Sequence, residues 1–139
     1  MAWGPSRPRA LAVTTDIMEM HEAGFPVQKV DGVPVVTAPG EIDVTNAAEL
    51  RTALLRAAAV DCPVLVVDMA RTTFCDSAGL HTLLGAHRRA RAEGNELRMV
   101  VTGAAVHRIL ALTAADRLFR VYDSLQEALA APRPQARPD

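Results

Sequence analysis

The sequence predicts an α/β fold with a mixed, mostly parallel sheet of about five strands and about four helices. The run Val64–Met69 is almost continuously apolar, which is typical of a strand buried on both faces of a parallel sheet. Helical stripes with apolar residues at i, i+3, i+4 and i+7 precede and follow that run. Right-handed crossovers make strands that alternate with helices parallel.

The first elements are a tail and a hairpin. Residues 1–24 have no convincing period and are predicted to form a mobile tail. Val27–Val30 and Val33–Ala38 flank Asp31-Gly32, a pair that strongly favours a two-residue hairpin turn. This hairpin adds one antiparallel strand to the sheet.

Caps and stops define the later elements. Asn46 followed by Glu49 is an Asn variant of the capping box and predicts a helix to about Ala59. A second helix begins near Ser77 and ends before Gly94. The other predicted elements are a strand over Leu97–Val101, a helix with Val106, Ile109 and Leu110 on its apolar face, a strand over Leu118–Val121, a helix opened by Ser124 and Glu127, and a disordered tail over residues 132–139.

Length and composition fit a single domain. The chain has 139 residues, of which 50% are hydrophobic and 22% are charged. Its net charge of −1 gives no electrostatic attraction to nucleic acid or to an anionic membrane. No apolar stretch reaches the roughly 20 residues that span a bilayer, and the N-terminus lacks the apolar core of a signal peptide. We therefore expect a cytoplasmic protein with no membrane partner and no direct nucleic-acid partner.

Asp76-Ser77 lies where a predicted strand is followed by a helix, with Ser77 at or near the N-cap. A helix start carries unpaired backbone amides and the positive end of the dipole, so a hydroxyl can cap it and a phosphate is tolerated there. Most serines at such positions only cap the helix. The local pattern alone thus favours a structural role, although the position also suits a phosphorylation switch.

A hydrolase is the alternative enzyme hypothesis, because residues 75–79 half-match Gly-x-Ser-x-Gly. Cys75 stands where the strained turn of that motif needs glycine. The acids between Ser77 and His107 flank the far end of the helix, so no triad is expected. We predict no catalytic residue and no enzyme activity.

The cysteines and histidines show no metal-ligand spacing, so no metal site is predicted. Cys75 is expected in the core, since free cysteine behaves as a small hydrophobic residue. His87 falls on the apolar stripe of its helix and is expected to be packed and hydrogen-bonded.

Three motifs in matching order and spacing resemble one bacterial family. Residues 76–80, Asp-Ser-Ala-Gly-Leu, resemble the phosphoserine motif of the STAS domain in anti-sigma-factor antagonists, also called anti-anti-sigma factors. Residues 40–43, Gly-Glu-Ile-Asp, resemble the loop before the first helix of that family, and residues 112–122 resemble its C-terminal helix-to-strand passage. The resemblance covers residues 25–131 and implies a single STAS-like domain there.

The resemblance implies a function by partner switching. The unphosphorylated protein would bind an anti-sigma factor that is also a serine kinase, and so release a sigma factor. Phosphorylation of Ser77 would dissociate the complex, and a serine phosphatase would reset it. ATP and magnesium would belong to the kinase, so no cofactor is expected. A non-switching STAS interaction or scaffold module in a signalling or transport complex is the alternative.

The resemblance also implies the site residues. Ser77 would accept the phosphate, and Asp76 would orient the serine or contact the kinase. Glu41 and Asp43 would form an acidic rim, and Gly79 belongs to the same motif. For Asp43 the sequence leaves a second role open, which is to cap the helix near Asn46. The predicted partner-binding residues are Glu41, Asp43, Asp76, Ser77 and Gly79.

Overall fold

The computed structural model describes residues 24–134. The predicted mobile tail, apart from Gly24, lies outside the described residues, as does the predicted disordered tail from residue 135 onward. The elements are β1 (Val27–Val30), β2 (Val33–Thr37), β3 (Glu41–Ile42), α1 (Ala47–Ala58), β4 (Val64–Met69), β5 (Phe74–Cys75), α2 (Ser77–Ala92), β6 (Glu96–Val101), α3 (Ala104–Leu112), a 3-10 turn (Ala115–Arg117), β7 (Arg120–Tyr122) and α4 (Leu125–Ala130).

Five strands form the main sheet in the order β1-β2-β4-β6-β7. β1 and β2 are antiparallel, and the other neighbouring strands are parallel. Asp31 and Gly32 turn the hairpin with φ angles of 54° and 81°, the positive values that its tight turn requires. The predicted α/β fold with a mixed, mostly parallel sheet is confirmed.

The central strand β4 explains the long apolar run. Val64 and Val66 face a smaller core cluster that includes Ala128 of α4. Leu65, Val67 and Met69 face the larger cluster, which α1, α2 and α3 cover. Because helices bury both faces of the sheet, the strand has no polar side and its sequence loses the alternation of an exposed strand.

Several local predictions need correction. Asn46 occupies the N-cap position of α1, but its side chain makes no capping hydrogen bond within residues 24–134, so the predicted capping box is wrong. Ser124 does cap α4, since its Oγ accepts from the Glu127 amide at 3.1 Å. The last strand begins at Arg120, not at Leu118.

Arg98 is a buried charge that the sequence analysis did not single out. It is only 1% exposed. Its Nε donates to Glu96 Oε1 at 2.9 Å, and its Nη1 donates to the carbonyls of Ala128 at 2.6 Å and Ala131 at 3.1 Å. Nη2 donates to the Pro132 carbonyl, within the segment predicted to be disordered. Arg98 thus fastens the end of α4 to β6.

Candidate functional site

A separate two-stranded ribbon brings the two site loops together. β3 and β5 pair in parallel, with Glu41 opposite Phe74 and Ile42 opposite Cys75. The Asp76 amide then donates to the Ile42 carbonyl at 3.0 Å. The helix that begins at Ser77 therefore follows this short ribbon and does not directly follow the buried strand β4. Asp43 and Asp76 leave the ribbon side by side, as expected if the two loops converge.

Asp76 joins the two loops through its carboxylate. It is the N-cap of α2, where its Oδ1 accepts from the Gly79 amide at 3.0 Å. Its Oδ2 accepts from the Val44 amide at 3.1 Å. One side chain thus caps the helix and holds the loop that follows β3. The sequence placed Ser77 at or near the N-cap, but Asp76 does the capping.

Ser77 is the first residue of α2 and is exposed. Its hydroxyl makes no hydrogen bond within the described part of the chain, and neither do the amides of Ser77 and Ala78. Unpaired amides and the positive end of the dipole favour an anion at this position. The exposed hydroxyl is accessible to a phosphoryl donor, and a phosphate there would meet both these amides and the neighbouring Asp76 carboxylate.

The loop after β3 is fixed by its own polar side chains. Asp43 Oδ1 accepts from the amide of Thr45 at 2.9 Å and from the hydroxyl of the same residue. Asn46 Oδ1 accepts from the Asp43 amide, and Asn46 Nδ2 donates to the Glu41 carbonyl, each at 2.9 Å. Asp43 therefore orders its loop and does not cap α1, the second role that the sequence had left open.

The hydrogen bonds of Asp43 also set its charge. The Thr45 hydroxyl, and then the Thr45 amide, lower the pKa of the Asp43 carboxyl from its ordinary value because they stabilise the ionised form. Asp43 stays charged at neutral pH and is partly accessible, and Glu41, two residues earlier, is exposed. Glu41 lies in β3 and Asp43 directly follows it, and their predicted part in an acidic rim stays a prediction.

Gly79 is buried and leaves no room for a side chain. A Cβ at this position would lie 2.6 Å from Cγ2 of Ile42 and 2.9 Å from Sγ of Cys75. The glycine lets the first turn of α2 pack directly on the ribbon. This packing is its visible role, and its predicted part in partner binding stays a prediction.

Two exposed apolar side chains beside the site were missed by the sequence analysis. Val44 is 74% exposed and Phe74 is 45% exposed. Both lie next to residues that hold the site, because Val44 donates to Asp76 and Phe74 is opposite Glu41. The exposure of Phe74 could have been predicted, because successive side chains of a strand point to opposite faces and its neighbour Cys75 is expected in the core.

The other groups considered from the sequence are structural. Burial, and then the charge of Asp76, raise the pKa of Cys75 to about 11, so its thiol is unreactive at neutral pH. His87 is buried and packs edge-on against Phe119, with ring centroids 5.4 Å apart. Its Nδ1 has no hydrogen-bond partner in residues 24–134, so the expected hydrogen bond is absent on that atom.

Within the same residues, no group of three His, Cys, Asp or Glu side chains is placed to hold a metal ion. No helix described there is long and apolar enough to cross a membrane.

Comparison with known proteins identifies the class. The family model of the STAS domain matches residues 25–128, and the chain belongs to that family. The chain is 31% identical over 99 residues to the anti-sigma-F factor antagonist RsfB of Mycobacterium tuberculosis, covering 71% of this chain and 80% of the relative.

Solved structures agree with this assignment. An anti-sigma factor antagonist from Mycobacterium paratuberculosis shares 34% identity with a TM-score of 0.69, covering 76% of this chain and 89% of that one. The phosphorylated form of the Bacillus cell fate determinant SpoIIAA is similar in fold, with a TM-score of 0.59 at 18% identity, over 76% of this chain and 96% of that one.

Proposed function

We propose that this protein is an anti-sigma factor antagonist whose binding is switched by phosphorylation of Ser77. The observation that carries the proposal is an exposed, unpaired serine hydroxyl on the first residue of α2, beside the rigidly held Asp76 carboxylate. The names of the relatives with 31% and 34% identity support the antagonist role. The proposal assigns the phosphate to Ser77. It assigns partner contacts to the switch surface, which we define as Glu41, Asp43, Val44, Phe74 and Ser77.

The cycle has three steps. The unphosphorylated protein binds an anti-sigma factor that is also a serine kinase, and the sigma factor is released. The kinase then transfers the γ-phosphoryl group of its ATP to Ser77 Oγ, the hydroxyl proton leaves, and ADP remains on the kinase. The phosphorylated protein dissociates, and a separate serine phosphatase hydrolyses the phosphoserine. ATP and magnesium are bound by the kinase, so this chain needs no cofactor and catalyses no step.

Charge explains the release. A phosphoserine adds about −1.5 to −2 charges at neutral pH. On Ser77 this charge is next to the Asp76 carboxylate and near the loop that carries Asp43. In the complex it must lose its water against a partner surface that fits a neutral hydroxyl. A penalty of about 2 to 4 kcal/mol at intermediate dielectric weakens binding roughly thirty- to a thousand-fold. No backbone rearrangement is needed for this effect.

The test is to incubate the protein with ATP and each anti-sigma kinase from the same genome, and to map phosphorylation by mass spectrometry. We expect one phosphate, on Ser77, together with loss of the complex. The Ser77→Ala variant should bind the same kinase but stay bound after ATP is added. Stable binding of the wild-type protein to a partner without any phosphorylation would instead support the non-switching scaffold module.

A further inference from the structure

A groove between α1 and α2 carries positive charge without matching acids. It encloses about 410 Å³. Leu54 and Ala86 are its buried apolar residues. The full lining is Arg51, Leu54, His81, Thr82, Gly85, Ala86 and Arg89. We call it the α1–α2 groove.

The two arginines of this groove form no ion pair within the described residues, although Glu93 at the end of α2 lines the adjoining pocket with Arg89. The ion pairs found among residues 24–134 both use Glu96, which pairs with Arg98 and Arg120. Arg51 and Arg89 take part in neither pair. The α2 sequence, SAGLHTLLGAHRRARA, has no acidic residue. A chain with a net charge of −1 therefore presents one locally basic groove.

The α2 residues of the groove begin one turn after Ser77 and run toward the end of the helix. His81, Gly85 and Arg89 follow Ser77 at intervals of four residues, which places all four on neighbouring turns of the helix. At about 1.5 Å per residue, Arg89 lies roughly 18 Å along the axis from Ser77. Apart from its chain neighbours and the backbone of its own helix, no atom lies within 4 Å of the Cβ position of Gly85, so a partner's backbone can approach α2 closely there.

We propose that the α1–α2 groove docks an acidic segment of the kinase that phosphorylates Ser77. This inference rests on the proposed function. Arg51 and Arg89 pair with carboxylates of the kinase, and its apolar side chains contact Leu54 and Ala86. A nucleic acid fits less well, since two arginines in a short groove neutralise few phosphates. The groove thereby sets which kinase reaches Ser77, at a distance from the reacting hydroxyl.

The test measures kinetics of Ser77 phosphorylation for Arg51→Glu and Arg89→Glu. Because the groove binds the kinase but does not touch the reacting atoms, KM should rise about three- to ten-fold per variant with kcat nearly unchanged. The effect should shrink above about 0.5 M salt, where screening is strong. Arg88→Glu is the matched control, since it places the same charge change on the same helix outside the groove.

The outcomes are distinguishable. Unchanged KM for both groove variants, with wild-type Ser77 still phosphorylated, overturns the docking site and leaves the switch intact. An equal rise for Arg88→Glu also overturns it, because the effect then follows net charge. Failure of every kinase to phosphorylate the wild-type protein removes the proposed function and this inference together.

A last arm uses ATP without kinase. If ATP alone at about 1 mM shifts the amide resonances of His81 and Gly85, the groove binds a small anion at a concentration typical of weak ligands, and the docking role is refuted. We expect no shift.

Discussion

Replacing Asp76 by Asn tests whether one carboxylate holds both the helix start and the site loop. In the native protein its two oxygens accept from the amides of Gly79 and Val44 at 3.0 and 3.1 Å. An Asn side chain has a single oxygen, so one of those amides must face an NH₂ group. The bond from the Val44 amide is the exposed one of the two, so losing it costs the net value of a typical hydrogen bond, about 0.5 to 1.5 kcal/mol. For a domain of this size, each 1 kcal/mol lowers Tm by roughly 4 to 8 °C.

The assay combines thermal unfolding with the amide resonance of Val44. Asn is as good an N-cap as Asp, so we expect it to keep the bond to Gly79 and to lose the bond to Val44. The variant should therefore melt lower, the Val44 amide should exchange faster, and Ser77 should be phosphorylated more slowly because its loop is less fixed. For thermal unfolding, the matched control is Asp43→Asn, whose Tm is expected to stay nearly unchanged. An unchanged Tm together with an unchanged Val44 amide would refute the bridging role of Asp76.

Four further outcomes are expected. Ser77→Ala should change the free energy of unfolding by less than about 0.5 kcal/mol in urea titrations, since Ser77 is not the cap; a loss above about 1 kcal/mol contradicts that assignment. Asp43→Asn should weaken kinase binding mainly through the on-rate with Tm nearly unchanged, and equal on-rates would remove Asp43 from the switch surface. Arg98→Met should lose about 3 to 5 kcal/mol of stability, because the acceptors of a buried charge are left unpaired; a near-neutral urea midpoint would disprove this. Burial, and then the charges of Arg91 and Arg88, lower the pKa of His87 in the folded protein below its unfolded value of about 6.5. The contribution of His87 to the free energy of unfolding is therefore complete above about pH 6.5 and is lost as the pH falls from there toward the folded-state pKa. His87→Phe should reduce this pH dependence, measured by urea titrations at about pH 7.5 and about pH 5.5, and an unchanged dependence would contradict the assignment.

The parts of the fold that the sequence predicts are those with strong local or periodic signals. The run Val64–Met69 is apolar because both faces of β4 are covered, and Asp31-Gly32 supports the positive φ angles of a hairpin. The ribbon of β3 and β5 gave no such signal. Two-residue strands are too short to show a period, and their pairing joins residues more than 30 positions apart.

The sequence brings the residues around Asp76 and Ser77 to attention but does not show which contacts each of them makes. Aspartate and serine both cap helices well, so the local sequence does not decide between Asp76 and Ser77. The ribbon decides it: the bond from the Asp76 amide to Ile42 holds Asp76 in an extended conformation at the N-cap, and Ser77 becomes the first helical residue. The burial of Arg98 was not predicted for a related reason. An arginine in a strand is expected to be exposed, and the carbonyls that accept its hydrogen bonds are about 30 residues away in the sequence.

Asp76 holds the structure of the site, whereas Ser77 is the proposed acceptor of the phosphate, and this difference has a consequence for the proposed switch. Asp76 fixes the start of α2 through its carboxylate, which accepts hydrogen bonds from two backbone amides, and Gly79 fixes it by packing closely on the ribbon. Ser77 takes no part in either, so a phosphate on it breaks none of the bonds that hold the loop and the helix. The added charge should therefore change the free energy of partner binding and leave the free energy of unfolding nearly unchanged. We therefore expect phosphorylated and unphosphorylated protein to differ little in Tm while their affinities for the kinase differ by at least about thirty-fold. A large fall in Tm on phosphorylation would show instead that the modification works by loosening the site.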